Sequence, residues 1–372
     1  MLLLSYSALV GVLLLPVVLK VPVFLQMIIS ATSCVVLGSY RAAKKEQERK
    51  RKGGSRDAQV ITERDAYKFP VIASLSLLGL FFAFKFLPEY WLNLFLTVYV
   101  VVLGASAFFT FVLPLVEDFL SYLSLNRELY FNVTLAHIIC FMIASLVGYW
   151  NVSSKSWLSN NMMGTSLSVL GIEMLALGDF LSSCILLFGL FFYDIFWVFA
   201  SKPVFGANVM VTVAKNFNGP IKLIFPKSFS GSSEEYSMLG LGDIVIPGLF
   251  VAMILRFDWR NLRNQNEEET KTPYFTTVVL AYTLGLVLTF VAVEVFNAAQ
   301  PALLYLNSNS WLNTMSPRKI NLRTKFVTAS KVDWHQGHSF LLFQQYCRSP
   351  KVLVFLERPR GIRNSCGFNP AT

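Results

Sequence analysis

The residues "LLFGLFFYDIFWVFA" (186–200) read as hydrocarbon at every charged-or-not choice but one. The exception is Asp194. A run this apolar has the character of a membrane span, and an acid inside a span costs about 2.5–3.5 kcal/mol on insertion scales. Residues kept at that cost commonly serve ion pathways, proton relays or substrate chemistry. The fold therefore turns on whether the rest of the chain is membrane too, and the function on whether Asp194 has a partner.

The rest of the chain agrees. Of 372 residues, 54% are hydrophobic and 15% charged, where soluble domains carry about 25% charged residues. The apolar residues come in blocks of span length at 2–19, 22–40, 70–87, 91–115, 130–150, 157–177, 179–200, 237–255 and 275–296. None alternates with period two, which excludes a β-barrel. The expected fold is an all-α polytopic membrane protein of about eight to nine spans. Segment 2–19 reads as a separate span, as a signal-like segment without a basic start, or as one bent element with 22–40 around Pro16 and Pro22. Segment 157–177 is the least apolar, diluted by Asn160, Asn161, Ser166, Ser168 and Glu173.

"RAAKKEQERKRKGGSR" (41–56) carries eight Lys and Arg next to a span. The positive-inside rule makes it a cytosolic loop, and counting five crossings onward makes the 201–235 loop lumenal. Asn151, in "NVSS", then falls on the lumenal side as a glycan acceptor. The net charge of +10 sits in the tail: residues 301–372 hold ten Lys or Arg and two Asp or Glu, leaving 22 against 20 before them. Cys34, Cys140 and Cys184 lie in apolar blocks and Cys347 and Cys366 in the tail, without disulfide or zinc spacing. "DWHQGH" in the tail offers His335 and His338, too sparse a pattern for a metal site. No metal or nucleic-acid partner is assigned.

Four acids fall in spans: Glu173, Asp194, Asp243 and Glu294. Glu173 and Glu294 lie near span ends, where a side chain reaches the interface. Asp194 and Asp243 lie about six residues from facing ends of consecutive spans, so both are expected roughly 9 Å below one membrane surface. Two adjacent carboxyls cannot both ionise cheaply and hold one shared proton. That pair suits general acid–base attack of water on a peptide bond. A proton- or cation-coupled transporter or leak channel using the same acids is the rival reading. In "MLGLGDIVIPG" (238–248), Gly240 and Gly242 remove side chains before Asp243, and Pro247 with Gly248 is expected to interrupt the helix beyond it.

"YD" (193–194), "GLGD" (240–243) and "QPALLYL" (300–306) occur in that order. The chain resembles the GxGD intramembrane aspartyl proteases, the presenilin and signal peptide peptidase superfamily. "NVMVTVAKNFNGPIKLIFP" (208–226) and "YSMLGLGDIVIPG" (236–248) resemble the signal peptide peptidase branch. The resemblance covers about residues 22–306. It implies a nine-span endoplasmic-reticulum protease that cuts remnant signal peptides and type II membrane segments within the bilayer, without a cofactor. It implies Asp194 and Asp243 as the catalytic pair. Tyr193, Gly240, Leu241 and Gly242 would shape the site, with Pro301, Ala302 and Leu303 beside the acids. A homo-oligomer is compatible with it.

The chain departs from that pattern after Leu306. The family continues into an apolar last span; here "NSNSWLNTMSPRKINLR" (307–323) follows, so the last span is expected to be missing or replaced. The expected organisation is an N-terminal bundle (1–177), a catalytic core (178–306) and a basic tail (307–372). An inactive isoform that binds membrane segments without cutting them is a further alternative.

Overall fold

A computed structural model describes residues 11, 22–51, 59–124, 128–130, 133–178, 180–206, 209, 212–213, 221–226, 236–265 and 272–296. Segment 2–19 apart from Gly11, the PAL residues Pro301, Ala302 and Leu303, and the tail lie outside the described residues.

Among the described residues eight long helices dominate: α1 (Val23–Arg51), α2 (Glu63–Phe86), α3 (Glu89–Tyr122), α4 (Leu135–Ser154), α5 (Trp157–Met174), α6 (Phe180–Ile195), α8 (Gly242–Gln265) and α9 (Pro273–Phe296), with a short α7 (Ser201–Phe205). Six of them are long and apolar enough to cross a membrane: α1, α2, α3, α4, α6 with the start of its extension, and α9. Leu75, Phe95, Phe141, Leu146 and Leu280 lie exposed on these helices, as hydrocarbon-facing side chains do.

The basic segment expected as a loop is helical as far as Arg51. Its Ala, Lys, Glu, Gln and Arg are strong helix formers, and Lys44–Glu48 and Lys50–Glu46 pair one turn apart. Among the described residues three two-stranded ribbons join helices where the sequence suggested none. They pair β1 (Gln59–Ile61) with β4 (Leu175–Leu177) in parallel, β2 (Glu128–Tyr130) with β3 (Val133–Thr134), and β5 (Lys222–Pro226) antiparallel to β6 (Tyr236–Gly240). The 201–235 stretch is therefore not all loop.

The largest core gathers α1, α5, α8 and α9 around Cys34, Val35, Ile172, Phe250, Leu255 and Tyr282, with Leu223 and Phe225 of β5. Here α5 explains itself. Its polar residues do not dilute a lipid-facing span; they are buried against protein. Thr165, Ser166 and Ser168 return their hydroxyls to carbonyls one turn back. Asn160 donates to Lys222 O at 2.7 Å.

Glu173 corrects another expectation. Its side chain is 8% exposed and does not reach the interface. It accepts Arg41 Nε at 2.7 Å and Lys45 Nζ at 2.9 Å. The same guanidinium donates to the carbonyls of Thr110 and Phe111 on α3, so one buried charge cluster joins α1, α3 and α5. The side chain of Glu294 lies outside the described residues.

Candidate active site

Asp194 is the penultimate residue of α6 and is buried. Beyond it the helix widens into a π-turn, Phe196–Ala200, a local form often found at functional sites. Trp197, in that turn, is buried and donates its indole N–H to Ser74 Oγ on α2 at 3.1 Å. The end of α6 that carries Asp194 is thereby tied to α2. Gly189, two turns earlier, allows the same approach: a Cβ there would sit 2.6 Å from Cγ of Pro70. A groove of about 340 Å³ between α2 and α6 is lined by Pro70, Val71, Ser74 and Tyr193, among others.

Asp243 is the second residue of α8, not a residue six positions inside a span. The residues before it, 236–240, form β6. Leu241 makes the corner: its N–H donates to Ile221 O at 3.2 Å, and its carbonyl accepts from Val245 at 2.9 Å, the first bond of α8. The helix start thus lends the positive end of its dipole to the Asp243 carboxylate. Gly240 and Gly242 are exposed. A Cβ on Gly240 would meet Oδ2 of Asp243 at 3.5 Å, an ordinary contact. Close helix packing is not what these two glycines serve; they leave bare backbone beside the acid. Close packing falls instead to Gly189 and to Gly248, where a Cβ would lie 2.5 Å from Cδ1 of Ile172.

The α6 and α8 helices meet where the Ser183 hydroxyl donates to Met253 Sδ at 3.1 Å and the Phe180 and Phe250 rings lie 6.1 Å apart. From these contacts Asp194 lies eleven to fourteen residues on, at the C-terminal end of α6, and Asp243 seven to ten residues back, at the N-terminal end of α8. Leu186, Leu190 and Tyr193 of α6 share a core cluster with Ile246, Leu249 and Met253 of α8 between them. The helix does not break at Pro247 and Gly248, as expected from sequence, but runs on to Gln265.

Tyr282 of α9 is a site neighbour that sequence reasoning missed. It is fully buried, and its hydroxyl donates to the main-chain carbonyl of Asp243 at 3.3 Å. Its local signal is slight: it is one of two tyrosines in an apolar helix. Asn151 sits in the last turn of α4, half-buried, and its amide donates to Ser159 Oγ at 3.2 Å.

The sequence model of the signal peptide peptidase family matches residues 53–316. A signal peptide peptidase of Mus musculus is 40% identical over 274 residues, covering 68% of this chain and 69% of its own. One of Homo sapiens is 40% identical over the same length, with 70% of its own chain covered. Intramembrane protease 2 of Caenorhabditis elegans is 45% identical over 181 residues, covering 45% of this chain and 37% of its own.

Proposed function

The chain belongs to the signal peptide peptidase family of intramembrane aspartic proteases, and from that premise we propose that Asp194 and Asp243 are its catalytic pair. The family sets aside the transporter reading of the two acids. The observation that carries the assignment is that Asp194 lies at the end of α6 and Asp243 at the start of α8, two helices that meet through Ser183 and Met253.

The chemistry needs one ionised and one protonated carboxyl. The ionised one takes a proton from a water molecule as its oxygen attacks the scissile carbonyl carbon. The protonated one hydrogen-bonds that carbonyl oxygen and gives it its proton as charge develops there, so a neutral gem-diol forms and the pair still holds one proton. Collapse of the resulting gem-diol breaks the C–N bond, and a proton passes to the leaving nitrogen. Acid and amine products separate, and the pair again holds one proton. Gly240, Leu241 and Gly242 shape the approach by keeping bare backbone beside Asp243, and Tyr193 flanks Asp194. Pro301, Ala302 and Leu303 are assigned beside the acids on family resemblance.

The substrates are transmembrane helical peptides held in the bilayer: remnant signal peptides and type II segments. The membrane is the endoplasmic reticulum, with 41–56 cytosolic and 201–235 lumenal. The test uses Asp194→Asn and Asp243→Asn, each purified in detergent with a labelled signal-peptide substrate. An amide can neither take nor give the proton, so each variant is expected to lose at least about 10²–10⁴-fold in rate while inserting like the parent. Parental cleavage by either variant would overturn the assignment.

A further inference from the structure

Pro247 stands four residues after Asp243, inside α8. In a helix the carbonyl of residue i accepts the N–H of residue i+4, and proline has none. The carbonyl of Asp243 therefore lacks its regular helical donor. It is part-buried, and an unmade backbone bond away from water costs free energy. The Tyr282 hydroxyl donates to this same carbonyl at 3.3 Å from α9, 39 residues on.

We propose that Tyr282 is a positioning residue for Asp243, its phenol supplying the hydrogen bond that Pro247 denies. The arrangement exchanges a bond within α8 for one between α8 and α9. The first turn of α8, with the acid in it, is thereby held by a neighbouring helix. Tyr282 is fully buried and packs in the core with Cys34, Ile244, Val278 and Leu286, so its ring has no freedom to leave. The other fixing point of the corner is Leu241 N–H on Ile221 O. Asp243 is then bracketed between a strand contact two residues earlier and the phenol on its own carbonyl. The proposal rests on the catalytic reading of Asp243, and positions that residue without touching the substrate.

The test is a cycle of Tyr282→Phe, Pro247→Ala and the double variant, with Asp243→Asn alongside. Tyr282→Phe removes the hydroxyl alone and is expected to lower kcat about 10- to 100-fold with KM held, because the acid is displaced rather than the substrate. Pro247→Ala restores an N–H to the Asp243 carbonyl. It should raise kcat and Tm in the Tyr282→Phe background by more than it does in the parent. Unchanged kcat in Tyr282→Phe, or equal effects of Pro247→Ala in the two backgrounds, overturns the proposal. The coupling in Tm between positions 247 and 282 reads the hydrogen bond without reference to cleavage. Activity in Asp243→Asn would instead sink the catalytic reading, so the two failures are distinct.

Discussion

Asn161 of α5 brackets Ile224 of β5: its Nδ2 donates to the Ile224 carbonyl at 2.8 Å and its Oδ1 accepts the Ile224 N–H at 2.8 Å. One side-chain amide thus takes the place of a neighbouring strand. The bond matters beyond β5, because Lys222 of that strand pairs with Gly240 of β6, two residues before the acid-bearing helix begins. Asn161→Leu would leave both Ile224 groups unpaired, at about 1–3 kcal/mol for each. The variant is expected to melt lower in detergent and to cleave slowly. A parental melting curve would show that β5 holds its place without α5.

The buried ion cluster gives a second expectation. Lys45 is partly exposed and can turn outward, but the Arg41 side chain is only 11% exposed. Removing its carboxylate leaves a charge in the core, and breaking such a pair costs about 3–5 kcal/mol. Glu173→Gln should therefore lower the Tm sharply. Arg41→Met combined with Glu173→Leu should recover much of the loss, since well-packed apolar pairs often replace buried ions without cost. A single variant that melts like the parent would show the cluster contributes no stability.

What the sequence made legible was local. The apolar run with Asp194 in it, the GLGD corner and the order of three motifs pointed to the family that the comparisons bear out. The α9 block was read within two residues of its helix. What stayed hidden depends on partners far along the chain. Glu173 read as an interface acid because Arg41 lies 132 positions away. Asn160 and Asn161 read as dilution because the strand they hold lies 62 and 63 positions on. Pro247 read as a helix break because local rules do not include a phenol from another helix. Polar side chains inside a bundle are deciphered by their contacts, and hydropathy averages those away.

Gly189 offers a test of how tightly α2 must meet α6. An alanine methyl there would lie 2.6 Å from a proline ring carbon, and a ring cannot rotate aside. Overpacking of this kind costs about 1–3 kcal/mol. Because Asp194 lies five residues further along α6, the strain should also displace the acid. Gly189→Ala is expected to lose more in kcat than in KM. Undiminished turnover would mean that α2 shifts freely against α6.

Sidedness follows from packing as well as charge. The α1 and α8 helices run in parallel: a Cβ on Gly248 would lie 3.4 Å from Val35 Cγ2, and further on Arg256 Nε pairs with Glu46 at 3.3 Å. Arg260 therefore shares a side with the basic end of α1, opposite the end carrying Asp243. If the basic end is cytosolic, an impermeant thiol reagent should label Arg260→Cys in intact microsomes. Exposed Met238, replaced by Cys, should react only after permeabilisation. These labels are read in a chain whose native cysteines are serine. The reverse pattern would invert the topology.

The last expectation concerns the residues after the PAL motif. The family match ends at residue 316, ten residues past Leu306. In that stretch and just beyond stand Asn307, Asn309, Asn313, Arg318 and Lys319. As a helix, 301–306 would rise only about 9 Å, against the roughly 30 Å of a hydrocarbon core. Carrying the following residues across would place two cations in the bilayer, at about 2.5–3.5 kcal/mol each on insertion scales. The segment is therefore expected not to complete a span, leaving Pro301–Leu303 poorly anchored against the acids. Loose positioning near reacting atoms costs about 10²-fold for an ångström of displacement. The chain through Thr372 should cleave far more slowly than a version in which 307–326 is replaced by an apolar helix. Equal rates for the two purified proteins would show that residues 22–306 suffice for catalysis without a spanning helix after Leu306.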